Sequence, residues 1–305
     1  MGWKRLVLSS FALTAAAGIA AADILARKIV KNSVIMPEKD KNTYTETTDR
    51  KHENNPKIET VYMKSFDGTR LLGHWYQCED AVRTVICMHG WHGSWLKDFG
   101  DIIDFLHDSG CNILLPDERG QNSSGGAFMG FALLERFDCI EWVKWVNERT
   151  SADIPVYLYG VSMGSATVMM ASELDLPDNV KGIIADCGFT SAQDIWRYLT
   201  RKTMHIPYGR LLSRQTEYIY HKMTGNYGTH LSSLDALSSC SIPVLFVHGD
   251  EDDFVPTEMS YRNHEACASD KELLIIKGAG HAVNYRTDPS AYEAAVRRLW
   301  DKCEE

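Results

Sequence analysis

Six short apolar runs narrow the fold of this chain more than any other feature of its sequence: residues 84–88, 111–115, 156–159, 182–185, 244–247 and 273–276. Each is four or five residues long and most are rich in Val, Ile and Leu. Runs so short, apolar throughout rather than alternating, are what strands covered on both faces of a parallel sheet look like. Between them lie stretches with helical spacing. Phe99, Ile102, Ile103 and Leu106 keep 3–4 spacing and predict a helix that Gly110 stops. Leu133, Phe137, Ile140, Val143 and Val146 predict a longer one, and a last helix is expected near residues 291–300. Strand, helix, strand, repeated, implies a mostly parallel, doubly wound α/β sheet that binds ligands beyond the carboxyl ends of its strands. Two further strands, 59–64 and 70–77, flank Asp67-Gly68, a hairpin turn signal.

This alternation starts near Ile58 and runs to the C-terminus, so one large domain is expected over residues 58–305. Residues 191–241 interrupt it. They hold no strand-like run, carry Trp196, Tyr198, Tyr208, Tyr218, Tyr220 and Tyr227, and set six Lys and Arg against three acids. A structureless loop of that length is improbable in a compact domain, so a helical cap inserted over the active-site edge is expected, with extra helices packed elsewhere on the core as the alternative.

The N-terminus has another character. Lys4 and Arg5 precede an uncharged stretch, residues 6–22, before Asp23, Arg27, Lys28 and Lys31. Residues 1–36 therefore read as a membrane anchor or as a signal segment cleaved after Ala22, which would give a secreted chain; an amphipathic helix lying on the membrane or the domain is a third reading. Residues 37–57 are polar, without apolar periodicity, and read as a linker that lets the domain stand away from the segment. On this reading, removal of everything before Lys57 leaves the kinetics unchanged, and the side of the membrane stays open.

Composition removes other classes. The formal net charge of −9 argues against nucleic acid as a partner, since such binding draws on a basic surface. The eight cysteines form no C-x-x-C pair and read as reduced thiols used as small hydrophobes. Neither zinc nor iron–sulfur ligation has the spacing it needs.

The chemistry lies in the segments that follow the strands. Gly160-Val161-Ser162-Met163-Gly164 comes after the run 156–159 and before a helix-compatible stretch. Strand, tight turn with small residues on both sides, and helix make a nucleophile elbow, which raises the Ser162 hydroxyl at the sheet's carboxyl edge and aims the Met163 amide at a substrate carbonyl. A serine hydroxyl needs a base, and the base a carboxylate. Asp252 follows the run 244–247 and His281 follows 273–276, which predicts both at the edge that holds Ser162. Asp250 and Asp253 compete for the acid's role, with Asp186 as an outside candidate. His89-Gly90-Trp91 follows the first parallel strand, so the Trp91 amide is the expected second oxyanion donor. Asp117-Glu118-Arg119-Gly120 reads as a structural loop tied by an Asp/Arg pair, and His248 as a structural histidine at a strand end.

Taken together, His89-Gly90, Asp117-x-Arg119-Gly120, Gly160-x-Ser162-x-Gly164, His248-Gly249-x-x-Asp252-x-x-Val255-Pro256 and Gly280-His281 resemble the α/β-hydrolase superfamily. Within it the chain is similar to bacterial membrane-anchored hydrolases grouped with serine aminopeptidase-like and acyl-peptidase-like domains. The resemblance implies Ser162 as nucleophile, Asp252 as acid, His281 as base, Trp91 and Met163 as oxyanion donors, and no cofactor or metal. A small-molecule ester is the expected substrate, with an apolar or acidic acyl group suiting an aromatic, mildly basic cap. A peptidase using the same triad is the alternative, although no acid among Asp194, Glu217 and Asp235 stands out to hold a substrate amine. A binding protein on a hydrolase scaffold is a third class, set aside because the triad types and both oxyanion positions are intact.

Overall fold

The structure, a computed structural model, describes residues 2–37 and 51–304. In chain order its elements are α1 (Gly2–Val34), β1 (Ile58–Lys64), β2 (Arg70–Tyr76), β3 (Arg83–Met88), α2 (Trp95–Phe99), α3 (Ile103–Asp108) and β4 (Cys111–Pro116). There follow α4 (Glu135–Arg149), β5 (Val156–Val161), α5 (Met163–Ala171), β6 (Val180–Asp186), α6 (Ala192–Met204), α7 (Arg210–Thr224) and α8 (Ser233–Leu237). The last are β7 (Val244–Gly249), α9 (Glu258–Ala266), β8 (Lys271–Ile276), α10 (Asn284–Thr287) and α11 (Pro289–Glu304).

Eight strands form one sheet in the order β1-β2-β4-β3-β5-β6-β7-β8. β1 and β2 pair antiparallel, β2 runs antiparallel to β4, and all later neighbours are parallel. The expected mostly parallel, doubly wound sheet is therefore present. β4, β5 and β7 are buried along their whole length, as uniform apolar runs require, whereas β8 closes the sheet half-exposed at its edge. The expected hairpin turns at Gly68, whose φ of 82° suits a residue without a side chain, and Asp67 accepts the Thr69 amide. The helix predicted through Phe99 to Leu106 is two short ones, separated by a turn over residues 100–102.

Two apolar layers cover the sheet. One is built from α3 and α11 with Phe99, Phe105, Tyr159 and Trp300; the other from α4 and α5 with Trp75, Trp142 and Phe246. A third cluster joins the N-terminal helix to residues 191–241: Ile29, Val30 and Val34 with Phe131, Phe189, Trp196, Tyr208, Leu212, Ile219 and Tyr220.

The anchor expected in residues 1–36 finds no support. No helix among the described residues is long and apolar enough to cross a membrane. The physical reason is visible in the sequence: the uncharged stretch of residues 6–22 is shorter than a span of about 20 apolar residues, and charges return at once. Past that stretch most apolar positions fall on one face, with Ile24 left exposed. Ala26, Ile29, Val30 and Val34 are buried, while Arg27, Lys28 and Lys31 face out and Asp23 pairs with Arg27 at 2.7 Å. α1 lies on α7, and Gln215 Nε2 donates to the Ile19 carbonyl. Of the expected linker, residues 38–50 lie outside the described residues. The rest packs on the domain, where buried His52 sits 3.2 Å from Asp104.

Candidate active site

The elbow is built as its residue sizes demand. Ser162 stands between β5 and α5 at φ 56° and ψ −110°, a left-handed conformation that costs a residue with a side chain and is held by the surrounding packing. A Cβ on Gly160 would lie 2.1 Å from the Gly164 carbonyl oxygen, and one on Gly164 would lie 1.9 Å from that of Met88. Only glycine allows the strand, the turn and the helix to approach this closely. The Ser162 amide donates to the Asp186 carbonyl at 2.8 Å, which ties the elbow to β6.

Three strand ends then bring three side chains into line. His281 Nε2 is 2.9 Å from Ser162 Oγ, and His281 Nδ1 is 2.7 Å from Asp252 Oδ2. Asp252 and Ser162 are buried, whereas the histidine remains partly open to solvent. Asp252 Oδ1 accepts the Phe254 and Val255 amides, each at 2.9 Å, so the carboxylate is gripped by its own loop. Burial alone would raise the Asp252 carboxyl; hydrogen bonds from His248 and His281, with their charges, override it and hold the group well below the usual carboxylate range. Asp252 is thus ionised and able to fix the Nδ1–H tautomer of His281.

The competing acids are engaged elsewhere. Asp250 Oδ1 accepts the Gly278 amide at 2.7 Å, and Asp253 is exposed. Asp186 is buried, bonded to Asn284 Nδ2 at 2.6 Å and the Tyr292 hydroxyl at 2.9 Å, and burial pushes its carboxyl up.

The loop after β3 singles out one amide by occupying its neighbours. Gly90 N donates to Asp98 Oδ2 at 2.7 Å and His92 N to Gln121 Oε1 at 2.8 Å. Between them, the Trp91 amide has no acceptor among the described residues. The Met163 amide, first in α5, has no acceptor in its own helix. The two expected oxyanion donors are therefore unspent. His89, fully buried, accepts the Glu118 amide at Nε2 (3.1 Å), which leaves its Nδ1–H to donate to the Gly90 carbonyl at 2.9 Å. The Asp117–Gly120 loop is structural: Arg119 forms a two-pronged ion pair with buried Asp138 at 2.6 Å and reaches Asp67 at 2.9 Å.

Three features of the site go beyond what the motifs imply. His248 is more than a strand-end residue, since its Nε2 lies 3.1 Å from Asp252 Oδ2 and 2.9 Å from the Val255 carbonyl, with Ser260 Oγ at Nδ1. α1 ends against the loop after β3: Trp91 Nε1 donates to the Ser33 carbonyl at 2.9 Å, and the Met129 amide to that of Val34 at 2.6 Å. Two of the orphan carbonyls of the last helical turn are thereby satisfied. The pocket, about 270 Å³, is lined by Gly90, Trp91, His92, Lys97, Asp98, Val161, Ser162, Phe254, His281 and Ala282. No residue of 191–241 lines it, so the cap expected over the site stands beside it and touches its rim through Lys202, which reaches the Asp253 carbonyl. The His248 contact had a signal in its spacing of four from Asp252 within one loop; the α1 contact and the pocket wall had none, because they join distant parts of the chain.

A family model for the alpha/beta hydrolase fold matches residues 83–237. The chain is 27% identical over 235 residues to the Bacillus subtilis protein YqkD, covering 77% of this chain and 76% of that one. Among solved structures it is similar to the Pyrococcus furiosus esterase Pf2001, with a TM-score of 0.67 at 19% identity over 88% of this chain and 98% of that one. A Pyrococcus horikoshii acylaminoacyl peptidase aligns with a TM-score of 0.59 at 16% identity, over 83% of this chain and 42% of the peptidase. These matches agree with the superfamily resemblance drawn from the motifs. They carry nothing for the narrower grouping with membrane-anchored proteins.

Proposed function

Since the chain belongs to the α/β-hydrolase fold family, we propose that it is a serine hydrolase that cleaves a carboxylic ester through an acyl-enzyme on Ser162. The observation that supports this reading best is the continuous relay Asp252–His281–Ser162, at 2.7 and 2.9 Å, beside two unspent backbone amides. With Nδ1–H held on Asp252, His281 Nε2 is the free base. It takes the Ser162 proton as Oγ attacks the ester carbonyl, and Asp252 stabilises the imidazolium that forms. The carbonyl oxygen, now negative, turns toward the Trp91 and Met163 amides; one such donor is worth roughly 10²–10³ in kcat. His281 returns its proton to the leaving alkoxide, then draws one from water for deacylation. None of these steps calls on a cofactor.

An ester fits better than a peptide on one specific ground. An aminopeptidase needs a carboxylate to hold the substrate amine, and the candidates are committed. Asp194 pairs with Arg197 and Arg262, Glu217 accepts the Gly228 and Thr229 amides, and Asp235 accepts Ser232. None of them lines the pocket. The test is labelling with a fluorophosphonate followed by a panel of p-nitrophenyl esters and aminoacyl p-nitroanilides. Ser162→Ala is expected to lose the label and about 10⁴-fold or more of the esterase activity while keeping its melting temperature. Full esterase activity in that variant, or faster turnover of the anilides than of the esters, defeats the reading.

A further inference from the structure

The pocket that holds Ser162 contains one charge with nothing to do. Lys97, on α2 immediately after the oxyanion loop, lines the same wall as Gly90, Trp91 and His92 and is half-buried. Its backbone amide donates to Ser94 Oγ as part of the helix cap, but its ammonium makes no hydrogen bond or ion pair among the described residues. The neighbouring charges are all committed. Asp98 turns its Oδ2 inward to the Gly90 amide, and a Cβ on Gly93 would lie 2.3 Å from that oxygen, so the carboxylate is packed into the loop. Asp101, one turn further on, is held by Arg286 at 2.7 Å. Asp252 is buried behind His281.

An ammonium without a partner on the wall beside the nucleophile is open to pair with an anion that arrives with the substrate. A cationic substrate group has no equivalent place, because the one carboxylate on the wall is already bonded. The protein as a whole, at −9, repels anions, so selection for one has to come from a local charge. Nor does the basic region of residues 191–241 supply that charge, since none of its residues lines the pocket and Lys202, at the rim, is held on Asp253.

From this placement we infer that Lys97 is a specificity-determining residue that recognises a carboxylate on the substrate, so that the ester is a monoester of a short dicarboxylic acid or an ester whose alcohol carries an acid group. The inference rests on the serine hydrolase reading above. It concerns binding alone and leaves the sequence of bond changes at Ser162 as written there.

The test compares kcat/KM for three esters in the full-length protein: p-nitrophenyl butyrate, mono-p-nitrophenyl glutarate with the acid on the acyl side, and 4-(butanoyloxy)benzoate with it on the leaving group. The wild type is expected to prefer one of the two anionic esters. In Lys97→Met the ratio of that ester to the butyrate should fall about 10- to 100-fold, the range of a charge-assisted hydrogen bond. Lys97→Arg should retain most of the preference, and which anionic ester responds identifies the side of the scissile bond that Lys97 faces. Protection gives a second readout independent of turnover: glutarate should slow fluorophosphonate labelling in the wild type and not in Lys97→Met. If the ratio and the protection are the same in wild type and Lys97→Met while esters are hydrolysed, the assignment of Lys97 fails and the hydrolase reading stands. If the wild type neither labels nor turns over any ester, both fail.

Discussion

The carboxyl edge of the sheet and the helical layer of α1, α6 and α7 are neighbours built on different terms. At the edge, each side chain of the proposed triad sits within a few residues of the end of its own strand: Ser162 after β5, Asp252 after β7, His281 after β8. Once the strands pair in register, the three have little freedom to miss one another. The helical layer has no such frame. Its parts are joined by contacts between remote residues, such as Gln215 with the Ile19 carbonyl and the Tyr220 hydroxyl with the Gly130 carbonyl at 2.8 Å. Inside it a buried polar set, Gln193 with Tyr208, Thr216 and Thr229, fixes how α6 and α7 lie. The sheet places the proposed triad, and the layer beside it meets the loop after β3 through the end of α1.

If that division holds, substitutions at the edge should cost rate and little stability. Asp252→Asn should lower kcat on a neutral ester by about 10³- to 10⁴-fold, because His281 would lose the acceptor that fixes its tautomer. Asp250→Asn and Asp253→Asn, whose carboxylates meet a backbone amide and an exposed Lys202 ammonium, should each stay within roughly tenfold of wild type. Steady-state kinetics beside thermal melts decides the point. A loss at Asp253 equal to that at Asp252 would mean that the loop does not present the acid as described.

The layer should behave in the opposite way. Deleting residues 1–37 removes the buried side chains of Ile29, Val30 and Val34, each worth about 1.5–3 kcal/mol when fully buried, and strips the acceptors from Trp91 and Met129. The truncated protein should melt well below the full chain and show a reduced kcat/KM. An unchanged melting temperature together with unchanged kinetics would restore the picture of a domain standing clear of its N-terminal segment.

The same contrast explains what could be read in advance. The sheet and the elbow were legible because each depends on neighbours within about ten residues: an apolar run, then Gly160-x-Ser162-x-Gly164, or an acidic loop after β7. The choice among Asp250, Asp252 and Asp253 stayed open at that level, since loop register decides it and the Phe254 and Val255 amides set that register. Residues 191–241 were legible as helical, but not where those helices would lie, and they cover α5 rather than the pocket. Apolar residues 26–34 carried helical spacing, yet their partner on α7 lies nearly two hundred residues away. No local pattern announces a contact of that kind.

A buried carboxyl at the base of the layer offers a pH test. Glu135 Oε1 accepts the Gly130 amide at 2.6 Å, on the loop whose carbonyl receives Tyr220. Burial pushes the Glu135 carboxyl up to about 7, with Arg119 working against it and Asp138 adding to it. Its folded value lies above the unfolded one, near 4.3, so the folded state binds the proton more tightly. The stability this gives is complete below about pH 4 and is lost as the pH rises through about 7. Thermal melts between pH 5 and 8 should therefore show a decline for the wild type that Glu135→Gln flattens. An identical slope in both would place the titrating group elsewhere.

The smallest expected effect probes the seam where the two regions meet. The indole of Trp91 donates to the last turn of α1, while the backbone amide of the same residue is the proposed oxyanion donor. Trp91→Phe keeps an aromatic ring to stack on His92, 4.0 Å away, and on Phe254, and it removes the Nε1–H bond together with part of the indole's bulk. A single hydrogen bond is worth about 0.5–1.5 kcal/mol net, so the consequence for rate should be no more than roughly tenfold. Its distribution is the informative part. If the bond to Ser33 holds the amide in the position where the oxyanion develops, kcat falls and KM barely moves, because the lost interaction is one felt in the transition state. If the bond serves only to fasten α1, the melting temperature falls with kcat intact, and the helical layer then has no hold on the chemistry. A drop in kcat that also appears on deleting residues 1–37, and that is not larger when the two changes are combined, would trace both to the one contact between Trp91 and α1.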